Sequence, residues 1–166
     1  MDALFQTFYP SPIGTLVLRA TEAAIVSVLF SDEEVVEAHA AAMPDCLRAC
    51  CGQLGEYFAG ERKTFDLPLA SAGTLFQEQV WQQLGQIRYG QTLSYYDLSL
   101  QLGKPGAIRA VGSANGKNKL LLLRPCHRVI GAGGQLVGYA GGLWRKQWLL
   151  AHERKVNGTP QLTLFG

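Results

Sequence analysis

Four consecutive leucines, Leu120 to Leu123, run into Arg124-Pro125-Cys126-His127-Arg128-Val129-Ile130-Gly131. No other stretch constrains the fold as much. A short apolar run without alternation reads as a buried strand. Pro125 has no amide hydrogen and a fixed φ, so it stops any ladder or helix at that point. It rigidifies the approach to Cys126, so the sulfur can be held in a pocket. The thiolate, not the thiol, is the nucleophile, and the imidazole of His127 and the guanidinium of Arg128 are groups that favour a thiolate. Two plainer readings stand beside this one. Cys126 also reads as a small buried hydrophobe, and His127 as an ordinary core or surface histidine.

The rest of the chain bounds the problem. Its 166 residues suffice for one medium domain or two small ones sharing a core, and 48% of them are hydrophobic. No apolar run of about 18 residues is present, so no membrane span is expected. The N-terminus lacks the basic-then-apolar build of a signal peptide, which points to a cytoplasmic protein. Reduced cysteines are then expected. Cys46, Cys50 and Cys51 lie close together, but Cys50 and Cys51 point in different directions on a helix and no histidine stands at ligand spacing, so they read as helix-face and core residues. The net charge of +2 hides a split. Residues 1–73 carry ten acids and four bases, net −6, whereas residues 74–166 carry eleven bases and three acids, net +8. A basic half suggests contact with a polyanion.

Pattern and punctuation divide the chain into an N-terminal α/β domain, 1–73, and a second domain, 74–166. In the first, Phe5 to Tyr9, the turn Ser11-Pro12-Ile13-Gly14, and Leu16 to Ala20 predict a hairpin. Ala24 to Phe30 is a third strand. Ser31-Asp32 caps a helix that reaches Met43 and ends at Pro44. Leu47 to Phe58 is a second helix, and Phe65 to Leu69 is an edge strand because of Pro68. In the second domain, Thr74 caps a helix from Leu75 to Ile87 with Phe76, Val80, Trp81 and Leu84 on one face. Ser94 caps another from Tyr95 to Leu102, ended by Gly103. A third, Ala107 to Asn115, follows a Gly/Pro connector, which together read as a helix-turn-helix at about 94–116. The third helix is slim, with Ala107, Ala110, Gly112, Ser113, Ala114 and Gly116. That suits a DNA backbone at close range, or tight packing on a core. Gly131 to Gly134 turn into Gln135 to Tyr139 as a hairpin. A last helix, Leu143 to Arg154, is expected to bury Leu143, Trp144, Trp148, Leu149 and Leu150.

The segment from Pro125 to Gly131 resembles the active-site signature of the O6-alkylguanine-DNA alkyltransferases, also called methylated-DNA–protein-cysteine methyltransferases. The likeness extends upstream through Phe76-Gln77-x-x-Val80-Trp81, Tyr89-Gly90, Ser94-Tyr95, Gly103 to Asn115, and Asn118. Downstream it runs through Gly138-Tyr139-Ala140-Gly141-Gly142, Arg145-Lys146 and Leu149-Leu150-x-His152-Glu153. It covers about residues 74–154 with order and spacing kept. Residues 1–73 fit only loosely.

The resemblance implies a fold of class α/β, with a small ribonuclease-H-like N-terminal domain and a mainly helical, winged-helix-like C-terminal domain. It implies repair by direct reversal, in which an alkyl group leaves O6 of guanine and stays on the protein's own cysteine. Cys126 falls on the acceptor position, His127 on a general base acting through a water, and Glu153 on the acid that orients it. Tyr95 falls on the tyrosine that hydrogen-bonds the purine ring. Asn118 falls on the asparagine tying the helix-turn-helix to the active-site loop. A duplex hides O6, so the base must be flipped out, and Arg109 matches the finger that fills the gap. Ala107, Gly112, Ser113, Ala114, Gly116, Lys117 and Arg128 are the implied DNA contacts, on the minor-groove side. Lys104, Lys119 and Arg124 are further phosphate candidates. Pro125, Val129, Gly138, Tyr139 and Ala140 would wall the pocket. The implied partner is double-stranded DNA containing O6-alkylguanine, bound by a monomer, with no cofactor. The cysteines and histidines of a zinc site are missing, so no metal is expected.

Some positions depart from the family pattern. Arg124 stands where an aliphatic residue is usual, Lys119 and Arg88 where proline is usual, and Ala140 where some relatives have serine. Two other functions compete on chemistry alone. A non-catalytic sensor of alkylated DNA would lack the acceptor, yet Cys126 is present. A cysteine hydrolase would use the same Cys-His-Glu set, yet the helix-turn-helix and the basic half argue against it.

Overall fold

Alternation builds the first sheet. In the computed structural model, which describes residues 3–33 and 42–158, Leu16, Leu18 and Ala20 point to one face of a strand and are buried. That strand, β2 (Gly14–Ala20), pairs antiparallel with β1 (Phe5–Ser11) and β3 (Ile25–Ser31), in the order β1-β2-β3. The β1–β2 turn is closed by Ser11, whose hydroxyl donates to the carbonyl of Gly14 at 2.6 Å and accepts from the amide of Ile13 at 3.1 Å. Gly14 has φ of 114°, which a side chain would disfavour. Helix α1 (Asp45–Phe58) lays Leu47, Cys50, Leu54 and Tyr57 on the sheet.

Three expectations for this half need comment. The helix predicted from Ser31 to Met43 spans residues 34–41, outside the described residues. Pro44, expected to end that helix, is the N-cap of α1. Its carbonyl accepts from the amides of Leu47 and Arg48, and the missing amide hydrogen costs nothing at a helix start. The edge strand expected over Phe65 to Leu69 is a single parallel bridge between Leu69 and Ile25. Pro68 cannot donate to a ladder, and the side chain of Gln53 takes both backbone groups of Asp66.

The chain divides into two compact units, Met1–Ser71 and Ala72–Gly166. The second holds α2 (Leu75–Leu84), β4 (Leu93–Ser94), α3 (Tyr95–Gln101), α4 (Ile108–Gly116), β5 (Val129–Ile130) and α5 (Leu143–Val156). Thr74 caps α2 through a reciprocal box with Gln77, and Ser94 caps α3 by accepting from the amide of Asp97. At the end of α3, Gly103 (φ 70°) lets its own amide reach Leu100 and that of Lys104 reach Ser99. This satisfies the last carbonyls and turns the chain toward α4. Trp81 of α2 donates its indole hydrogen to the carbonyl of Ala114 on α4 at 2.8 Å, so the slim helix is anchored from behind. Strand β4 pairs parallel with β5. Among the described residues no helix is long and apolar enough to cross a membrane.

The structure corrects three elements here. Leu120 to Leu123 form a tight turn, not a strand. The amide of Leu123 donates to the carbonyl of Leu121 at 2.8 Å around Leu122, whose φ is 71°, the rarer and more strained kind of γ-turn. An all-apolar run is buried in whatever backbone it adopts, so its composition cannot choose between strand and turn. Gln135 to Tyr139 form no strand. The amide of Gly131 meets the carbonyl of Gln135 and the chain then continues as loop. Helix α5 leaves Leu143 and Trp144 exposed, Trp144 at 56%, and buries Arg145, Lys146, Glu153 and Arg154 beside Leu149 and Leu150.

The capping box at Thr74 generates a prediction. Thr74→Ala should lower unfolding free energy by about 1 kcal/mol, and Thr74→Ser should keep most of it. Urea unfolding of the three proteins checks this, and equal stabilities would show that the cap contributes nothing.

Candidate active site

The tight turn and the proline aim Cys126 at a cavity. Asn118 clamps the turn at both ends. Its side-chain oxygen accepts from the amide of Leu120 at 3.0 Å, and its nitrogen donates to the carbonyls of Arg124 at 3.0 Å and Leu120 at 3.4 Å. A buried amide with three partners holds the backbone where no strand partner does. Cys126, His127 and Arg128 then make one 3-10 turn. Consecutive side chains diverge on such a turn. Cys126 lies on the wall of a cavity of about 500 Å³, with Tyr95, Asn118 and Tyr139 among its neighbours.

His127 and Glu153 stand outside the cavity lining, both fully buried. The Nε2 of His127 is 2.7 Å from Glu153 Oε2. A carboxylate only accepts, so Nε2 carries the hydrogen and Nδ1 keeps a lone pair. Burial alone would raise the Glu153 pKa, but His127 and Arg128 more than offset it and hold the carboxyl far below the usual carboxylate range. Burial depresses the His127 pKa against the pull of Glu153, so its resting form is the neutral imidazole.

Burial pushes the Cys126 thiol up to about 11, despite opposing contributions from the Asn118 side chain, Lys146 and its own backbone amide. A thiol at that value is about 0.01% thiolate at pH 7. At rest the sulfur is therefore a thiol, and it would need a base to become a thiolate. This corrects the view that the groups beside it in sequence favour a thiolate. The cation that does so is Lys146, twenty residues away. Its ammonium is fully buried and donates to the carbonyls of Val137 at 3.0 Å and Gly138 at 3.1 Å. Burial lowers its pKa to about 8.

The Tyr95 hydroxyl donates to the Val137 carbonyl at 3.0 Å. Burial raises its pKa, and the amide of Asn115 beside it acts in the opposite sense. Tyr139 is half-buried, with its hydroxyl inaccessible, and meets the His127 ring edge-on with centroids 6.5 Å apart. Gly138 and Ala140 join it on the cavity wall. Gly112 and Gly116 of α4 line the cavity too, while Arg109, Ser113 and Lys117 are exposed and Ala107 is half-buried.

Five expected contacts fall elsewhere. Arg128, expected on DNA, is 6% exposed and folds inward onto Glu153. Ala114, also expected on DNA, is buried because α4 presents it to Trp81. Val129 is fully buried and pairs with Leu93 instead of lining the cavity. Pro125 is buried and does not line it either. Arg124, a phosphate candidate, lies half-buried with its guanidinium 4.6 Å from the centre of a Trp81 ring.

Sequence reasoning assigned no role to Asn115, Ile108 or Lys146. Asn115 donates to the Cys126 carbonyl at 3.4 Å, and Ile108 lines the cavity. A signal for Lys146 existed. Lys146, Leu149, Leu150 and Glu153 follow a spacing of i, i+3, i+4, i+7, so two charges sit in one buried stripe. Among the described residues no group of three or more His, Cys, Asp or Glu stands close enough to hold a metal ion.

Comparison with known proteins covers both halves. The profile described as "6-O-methylguanine DNA methyltransferase, DNA binding domain" matches residues 75–155, and its "ribonuclease-like domain" matches residues 4–71. The methylated-DNA–protein-cysteine methyltransferase of Mycolicibacterium paratuberculosis is 47% identical over 158 residues, covering 93% of this chain and 94% of that one. The constitutive enzyme of that name from Bacillus subtilis is 43% identical over 157 residues, covering 90% and 95%. A crystal structure of Mycobacterium tuberculosis OGT in complex with DNA aligns with TM-score 0.82 and 42% identity over 97% of this chain and 99% of that one.

The buried Glu153 carries a pH signature. Its folded pKa lies below the ordinary 4.5, so its stabilisation is complete above that value and is lost as pH falls through the carboxylate range. His127, depressed below 6.5, acts in the same direction and begins to cost stability below about pH 6.5. Glu153→Gln strands Arg128 and should lose about 3–5 kcal/mol at pH 7.5. The gap to the unaltered protein should narrow by about 1.4 kcal/mol per pH unit below 4.5. Urea unfolding at pH 7.5, 5 and 3.5 measures it, and a constant gap would mean that the carboxylate charge is not the source.

Proposed function

The chain belongs to the 6-O-methylguanine DNA methyltransferase family, and from that premise we propose that it repairs DNA by moving an alkyl group from O6 of guanine irreversibly to Cys126. The observation that carries this reading is the placement of the Cys126 thiol on the cavity wall with the His127–Glu153 pair behind it. The thiol proton leaves toward the free Nδ1 of His127 through a water. The sulfur forms a bond to the alkyl carbon as the carbon–O6 bond breaks, and that electron pair stays on guanine. Tyr95, whose hydroxyl rests on the Val137 carbonyl, turns to the purine ring and lets the base leave neutral. No step regenerates the thiol, so each molecule acts once.

Residues 74–166 carry the chemistry and the DNA contacts, with the helix-turn-helix at about 94–116, and residues 1–73 form the supporting domain. The protein works as a monomer in the cytoplasm on duplex DNA. Helix α4 enters the minor groove, where its exposed small residues allow close approach. Arg109, exposed at the second position of α4, fills the space of the flipped nucleotide. Lys104, Lys117 and Lys119, all exposed, meet phosphates.

Incubation with duplex DNA containing O6-methylguanine should add one methyl to the peptide holding Cys126. Cys126→Ser should abolish the transfer while leaving DNA binding intact. Mass spectrometry and a binding titration check both, and substantial transfer by the serine protein would sink the assignment. Arg109→Ala should slow methyl transfer from duplex DNA by tenfold or more, yet alkylation by free O6-benzylguanine by less than about threefold, because only a duplex needs the gap filled. Equal losses on the two substrates would place Arg109 in folding or in the pocket instead.

A further inference from the structure

Arg128 has no role in the transfer outlined above, yet every nitrogen of its buried guanidinium donates a hydrogen bond. Its Nε donates to Glu153 Oε1 at 2.8 Å and its Nη2 to Oε2 at 3.1 Å, while Nη1 reaches the carbonyl of Ile87 at 2.8 Å. The guanidinium also lies 5.5 Å from the ring centre of Tyr89. Glu153 receives two further donors. His127 Nε2 stands at 2.7 Å from Oε2, and the amide of Gly90 at 3.4 Å from Oε1. Two consecutive residues of the 3-10 turn thus converge on one buried carboxylate, and Oε2 is shared between them.

Sharing decides the state of the histidine. A buried carboxylate with no other partner draws a proton onto a neighbouring imidazole, because the resulting ion pair offsets its own desolvation. Here a guanidinium, which stays charged in proteins, already neutralises it with a two-pronged contact. A proton on His127 would leave the cluster with a net positive charge in a buried site. The other groups facing it reinforce that. Lys146 on α5 adds a second cation, Tyr139 offers a neutral ring edge, and Cys126 is a thiol at rest. The imidazole can accept the Cys126 proton only in its neutral form.

We propose that Arg128 is a positioning residue of the reaction, which by occupying both oxygens of Glu153 keeps His127 an unprotonated base. The proposal rests on the alkyl-transfer reading and adds to it the device that sets the lower pH limit of transfer. It also gives a reason for a cation to be buried here, where an exposed one would serve DNA.

The test measures methylation of Cys126 by mass spectrometry at saturating O6-methylguanine duplex, in single turnover from pH 5.5 to 9. Arg128→Met should react within about threefold of the unaltered protein at pH 8.5 and above. At pH 6.5 it should fall behind by more than tenfold, so that the acid limb of its profile lies at least one unit higher. Arg128→Lys keeps a charge but loses the fork, and its limb should move the same way by half a unit or more. It serves alone if the methionine protein does not fold. Limbs that coincide with that of the unaltered protein, with rates reduced evenly at all pH values, would make Arg128 merely structural and overturn the proposal. Absence of methylation in the unaltered protein at every pH would instead overturn the alkyl-transfer reading on which it stands.

Discussion

One buried carboxylate organises the second half of the molecule. Glu153 is inaccessible to solvent and collects donors from His127, Arg128 and Gly90. A carboxylate removed from water costs several kcal/mol unless it is paired and hydrogen-bonded. Glu153 therefore docks α5 only where those donors meet, and it fixes the 3-10 turn and the turn at Gly90 in the same step. Asn157, the C-cap of α5, adds a bond from its side chain to the carbonyl of Tyr89 at 2.9 Å. The end of α5 and the Tyr89–Gly90 turn are thus tied twice, once through charge and once through an amide.

The other end of the site depends on Asn118. The leucine run offers no ladder, so the side chain of Asn118 satisfies the amide of Leu120 and the carbonyls of Leu120 and Arg124. Leu122 then keeps a φ of 71° with its side chain buried. A large residue holds such a backbone only where its surroundings over-determine it. Here burial of three leucines and the asparagine clamp together do so. The consequence is functional, because Pro125 and Cys126 continue directly from that turn. The sulfur meets the cavity from a rigid base, as the proposed in-line attack requires.

The cavity wall is built from polar contacts as much as from apolar ones. Lys146 reaches up from α5 to the carbonyls of Val137 and Gly138, and Tyr95 reaches one of the same carbonyls from α3. The loop between β5 and α5 has no strand partner of its own, so these side chains set its path. Both groups also face the Cys126 sulfur, one as a nearby cation and the other as a cavity wall. Loop shape and the surroundings of the Cys126 thiol are therefore coupled through two residues.

Much of this was readable from the residues alone. Alternation in β2, the caps at Thr74 and Ser94, and Gly103 after α3 act over a few residues, so their physics is local and survives without a fold. The Pro-Cys-His run suggested a nucleophile for the same reason, since side-chain types are visible in sequence, whereas Glu153 was marked only by the resemblance to a known family. What only the tertiary structure decided is where buried charges find partners. Arg128 reads as a surface cation and turns inward because Glu153 arrives from 25 residues away. Lys146 drew no reading of its own from the sequence, and it is buried because the carbonyls of Val137 and Gly138 accept from it. The four leucines read as a strand, and the clamp by Asn118 holds them as a turn instead. In each case the energy comes from pairing across the fold, and desolvation penalties of that size have no expression in a local pattern.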